Sequence, residues 1–75
     1  MILNVYSIRD IKSGYLTPTF EVNDAVALRN FKAACSRADS IFSFSPADFE
    51  IYRIAKFDSN TGEFFDIERE VIVNE

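Results

Sequence analysis

The chain has 75 residues, 48% of them hydrophobic, with eight Phe, three Tyr, no His and one Cys. That composition fits a single domain over residues 1–75 and excludes an intramolecular disulfide and the usual zinc ligand sets. The net charge of −4 counts against general coating of nucleic acid, whose affinity comes mostly from phosphate neutralisation.

Ile2–Arg9 (ILNVYSIR) is rich in β-branched and aromatic residues and reads as a strand. Asp10–Gly14 is a turn and Tyr15–Val22 a second strand, so the two form a hairpin. Pro18 has no N–H for the ladder, which puts the second strand at a sheet edge or places a bulge there. Asn23–Ala38 follows as the one clear amphipathic helix. Ala27, Leu28, Phe31, Ala34, Cys35 and Ala38 recur at helical spacing on its inner face, while Arg29, Lys32, Ser36 and Arg37 fall on its other sides. Either Asn23 or Asp24 caps its start.

Ala38–Ser45 reads as a connection holding Ile41, Phe42 and Phe44, and Ser45–Asp48 as one capped helical turn with Pro46 at its first position. Phe49–Asp58 (FEIYRIAKFD) is the best strand; it turns through Ser59–Gly62 into Glu63–Ile67. Val71–Val73 extends that last strand or forms a short fifth one. The two hairpins look alike, Val5–Ile8 with Gly14 and Leu16 against Ile51–Ile54 with Gly62 and Phe64. The expected fold is therefore α+β: an antiparallel four-stranded sheet made from two hairpins (ββαββ), with the helix packed across one face.

Side-chain alternation puts Leu3, Val5, Phe49, Ile51, Ala55 and Phe57 on one side of this sheet and Ile2, Tyr6, Ile8, Tyr52 and Ile54 on the other. One helix covers one face. The Tyr/Ile face, with Tyr6, Ile8, Tyr52 and Ile54, is thus expected to meet another subunit in a dimer or higher homo-oligomer, another protein, or bases. The plainer alternative is that these are partly exposed single residues, or that the connection before Phe49 folds over them.

Charge is unevenly spread. The helix segment 23–38 is +2, from Arg29, Lys32 and Arg37 against Asp24, whereas residues 58–75 come to −5. The basic stripe can approach phosphates, with Arg9, Arg53 and Tyr52 as further candidate contacts and Tyr6 and Tyr52 as stacking groups. The bland reading of the same stripe is a solvated helix face, and Ile8 and Ile54 beside the tyrosines favour protein packing. Cys35 reads as a small apolar filler, since no His is present to activate it. Asp58–Glu63 resembles the start of a calcium loop but has its glycine at position five instead of six, and Arg69 at position twelve. Asp66 and Glu68 are paired carboxylates without a partner motif, and neither glycine belongs to a phosphate-cradling run. No enzyme, metal or cofactor is expected.

No apolar run approaches the roughly 20 residues that span a bilayer. The opening MILNVYSIRD lacks the basic n-region and cleavage site of a signal peptide, so a cytosolic protein is expected.

Asn4-Val5-Tyr6-Ser7-Ile8-Arg9-Asp10, followed by Lys12, Gly14, Leu16, Pro18-Thr19, Asn23-Asp24 and Arg29-Asn30-Phe31, resembles the small nonstructural protein of gokushoviruses, single-stranded-DNA phages of the microvirus group. Asp48-Phe49, Tyr52, Phe57-Asp58 and Thr61-Gly62 continue the likeness, whereas the acidic tail IEREVIVNE departs from it. The resemblance implies a nonstructural phage protein of the host bacterial cytoplasm, described as DNA-binding and assigned to the switch from duplex replication to single-stranded genome synthesis. A protein-interaction module for a phage or host replication factor, acting through the sheet face or the acidic end, is the alternative.

Overall fold

The computed structural model describes residues 1–72. Its two long strands, β1 (Ile2–Asp10) and β4 (Phe49–Asp58), lie antiparallel at the centre of the sheet. Each is followed by a tight turn and an outer strand that is broken in two. β1 is flanked by β2 (Gly14–Tyr15) and β3 (Thr19–Glu21), and β4 by β5 (Glu63–Phe65) and β6 (Glu70–Val71). Between the hairpins run α1 (Asp24–Ser36), α2 (Ile41–Phe44) and a 3₁₀ turn at Pro46–Asp48. The protein is α+β, with an open antiparallel sheet and one main helix, so the two-hairpin plan is present in outline.

Both turns use one chemistry. The Asp10 carboxylate accepts from the Lys12 N–H at 2.9 Å and the Ser13 hydroxyl at 2.7 Å, and Asp58 accepts from the Asn60 N–H at 2.8 Å. Those two donors, Lys12 first and Ser13 second, hold the Asp10 carboxyl below its ordinary pKa. Four residues after each aspartate the chain needs the left-handed region, and glycine supplies it, with φ of 103° at Gly14 and 80° at Gly62.

The breaks in the outer strands also have local causes. Pro18 lies in the gap between β2 and β3 and cannot donate to the ladder. On the other edge residues 66–69 leave the sheet, with Asp66 at φ 52°. The expected strand Glu63–Ile67 therefore stops at Phe65. Glu70–Val71 pairs with β4 as a separate short strand, and Val73 lies outside the described residues.

The register between β1 and β4 revises the expected faces. Ala55 lies opposite Val5 and Arg53 opposite Tyr6, so Ile54 is an extra residue, a β-bulge. Directly opposed residues share a face. Tyr6 and Ile8, with Ile51, Arg53 and Phe49, lie under the helix; Leu3, Val5 and Ser7, with Tyr52, Ala55 and Phe57, form the opposite face. A shared Tyr6/Ile8/Tyr52/Ile54 face therefore does not exist. Alternation fixes the two sides of each strand, but it does not say which side of one strand meets which side of its neighbour.

The core joins Tyr6, Ala27 and Ile51, with Ile8, Leu28, Phe31 and Ile72 packed against it. The expected connection after α1 is partly helical. The Ser40 hydroxyl accepts from the Phe42 N–H at 3.1 Å and starts α2, which places the Phe42 ring 4.8 Å from Phe49 and 6.4 Å from Phe31. The turn at Pro46 forms as expected, but the Ser45 side chain does not cap it.

Candidate nucleic-acid interface

α1 is capped by Asn23, whose side-chain oxygen accepts from the Val26 N–H at 2.9 Å, while Asp24 is the first helical residue. Its inner face is held by Ala27, Leu28 and Phe31. At ~100° per residue Arg29 falls on the side away from Ala27 and Phe31, and Lys32 on a flank beside Leu28. The helix ends at Ser36. Arg37 is its C-cap in extended conformation, and Ala38 lies beyond it, exposed instead of on the inner face. Cys35 is half-buried beside Leu28, Phe31 and Lys32, and this burial raises its thiol pKa.

Ion pairing separates the cations. Among the described residues Lys12 meets Asp48 at 3.4 Å, Lys56 meets Asp66 at 3.7 Å, and Arg53 meets both Asp24 at 2.5 Å and Glu70 at 2.6 Å. Arg29, Lys32 and Arg37 are exposed and have no such partner there. Arg9 and Arg69 are likewise unpaired, but they sit on the sheet side remote from α1: Arg9 is opposed to Glu50 and Tyr15, and Arg69 lines a groove there. Among the described residues α1 and its C-cap thus carry three exposed cations without an ion-pair partner.

A family model described as Phage ORF5 protein matches residues 3–75. The chain belongs to this family. It is a phage protein. No match was found among curated proteins or solved structures.

In this ORF5-family chain the remaining expected site residues are divided among other places. Arg53 lies beneath the start of α1, where its two-sided ion pair ties the helix to β4 and β6. The hydrogen bond that Arg53 donates to Asp24 Oδ2 chiefly stabilises its charged form and raises its pKa. Tyr6 is fully buried next to this pair. Its hydroxyl donates to Asp24 Oδ1 at 2.5 Å and accepts from Asn4 Nδ2 at 3.0 Å. Burial first, and the bond to Asp24 second, push its pKa well above the ordinary tyrosine value. Tyr6 is therefore internal, and Ile8 is half-buried against the same core beneath α1, so neither stands on the helix-free face.

Tyr52 and Ile54 belong to the helix-free face. There Tyr52 packs edge-on to Tyr15 at 5.6 Å, and Phe57 lies 5.3 Å from Phe20 and 4.9 Å from Phe64. Beside them is an open groove of about 850 Å³, lined by Tyr15, Ile54, Ala55, Phe64, Ile67, Glu68 and Arg69. Sequence reasoning missed Tyr15, Phe20 and Phe64 as members of this surface. The usable signal was the repeated Asp-x-x-(Ser/Thr)-Gly turn at Asp10–Gly14 and Asp58–Gly62. It fixes each hairpin's register, and with it the pairing of Phe57 with Phe64.

Proposed function

We propose that this chain is the small nonstructural protein of a gokushovirus-like phage, working without catalysis in the host cytoplasm. It contacts single-stranded DNA weakly through α1 at the switch from duplex to single-stranded genome synthesis. One observation carries the DNA contact: Arg29 and Lys32 on α1 and Arg37 at its C-cap are exposed and have no ion-pair partner among the described residues, while Lys12, Arg53 and Lys56 are engaged by carboxylates. Three phosphate contacts on a single strand give a salt slope of about −2 in log K against log[salt]. Arg29→Glu with Lys32→Glu should bring the slope below about −1 in magnitude and weaken binding at low salt. A wild-type chain with no measurable oligonucleotide binding at 20 to 50 mM salt, on the order used for such assays, would remove this reading.

The second reading, a module that binds a phage or host replication protein, is favoured by the exposed aromatic sheet face. That face has no excess of positive charge, since Arg9 is opposed to Glu50 and Arg69 adjoins Glu68. DNA binding that is absent at low salt selects this second reading.

A further inference from the structure

We propose that the helix-free face of the sheet is a two-fold self-association surface, occupied by the same face of a second copy of this chain. The inference goes beyond the DNA reading and does not depend on it. Tyr15, Phe20 and Phe64 stand 45%, 43% and 53% exposed, which is about 280 Å² of ring surface at ~200 Å² per residue. Ile67, 77% exposed and lining the same groove, adds about 100 Å² and brings the patch to roughly 400 Å². A stable interface buries about 800 Å² per partner. Half of that is present here as apolar side chain, and Tyr52, Ile54 and the rim add to it.

Charge and ring geometry choose between a second copy and bases. The rim carries Arg69 beside Glu68 and Arg9 opposed to Glu50. A two-fold axis passing between base and acid sets the base of one copy against the acid of the other, so this balanced rim allows self-complementary pairing. Such balance gives phosphates no net attraction. The rings are also set at 75° for Tyr15 with Tyr52 and 70° for Phe20 with Phe57, so they already pack edge-to-face instead of offering a row of parallel planes for bases. Association through this face leaves α1 outward on both copies.

The test is sedimentation velocity on the full chain at ~10 to 500 µM, a range that brackets weak dimers. The wild type should approach twice the 8.6 kDa chain mass. Phe64→Asp and Ile67→Asp, made separately at exposed positions, should each weaken the dimer at least ~100-fold, because a two-fold interface carries the change twice. Phe44→Asp, on α2 and 77% exposed, should leave the dimer intact, and circular dichroism checks that all variants fold. Three results overturn the proposal: a wild type that stays monomeric throughout, a dimer indifferent to both sheet variants, or a dimer abolished by Phe44→Asp. A monomer whose binding of oligothymidylate is lost in Phe64→Asp would assign the face to bases, and a monomer that binds none would assign it to another protein.

Discussion

Replacing Asp24 by Ala removes the centre of the one extended polar network in the described structure. Its largest cost arises at Tyr6, whose hydroxyl is wholly buried and would lose its acceptor. An unsatisfied buried donor costs about 1–3 kcal/mol. The Arg53 pair adds less, because 26% of the Arg53 and 41% of the Asp24 side chain face solvent, and exposed pairs contribute about 0.5–1 kcal/mol. Loss of a first-turn carboxylate from α1 adds about 0.5 kcal/mol. Asp24→Ala should therefore cost about 2–4 kcal/mol, a large part of what a domain this size possesses. Tyr6→Phe, which removes the hydroxyl but keeps the ring, should cost about 1 kcal/mol. Because the two changes delete one shared bond, the double variant should fall short of additivity by about 1–2 kcal/mol. Urea denaturation of the four proteins at pH 7 measures this directly. Additive losses, or an Asp24→Ala cost under about 0.5 kcal/mol, would show that the network does not fasten α1 to the sheet.

Alkaline pH probes the same bond from the proton side. Tyr6 is held protonated above its ordinary value of about 10, so between that value and its folded pKa the native state binds the extra proton. Its contribution to stability is complete below pH ~10 and is lost as pH rises further. Urea midpoints between pH 9 and 11 should decline more steeply for wild type than for Tyr6→Phe; parallel declines would contradict the assignment. In the second turn Gly62 adopts φ 80° with open space around it. Gly62→Ala should therefore cost about 1–2 kcal/mol through backbone strain alone, and Gly62→Asn, which tolerates this region better, clearly less in the same denaturation experiment.

Local chemistry was legible wherever it acts over a few residues. The inner face of α1, the long strands and the glycine turns all follow from periodicity or from a side chain bonding its own backbone neighbourhood. The ends of α1 were less legible: Asn23 and Asp24 are both competent caps, and no glycine marks the stop at Ser36. What the sequence concealed depends on register. Asp24 and Arg53 are 29 positions apart. They meet only because β1 and β4 are aligned so that Arg53 stands opposite Tyr6.

That alignment turns on Ile54. Without an extra residue, β4 would keep Phe49, Ile51, Arg53, Ala55 and Phe57 on one side, as strict alternation implies. The bulge divides this row, leaving Phe49, Ile51 and Arg53 beneath α1 and sending Ala55 and Phe57 to the far face. The aromatic cluster of Phe20, Phe57 and Phe64 is a consequence of the same shift. So is the exposure of a second apolar surface in a chain with a single substantial helix. The bulge thus couples two properties that looked unrelated in the sequence: it lets Arg53 close the polar network that seats the helix, and it builds the exposed aromatic face on the other side of the sheet.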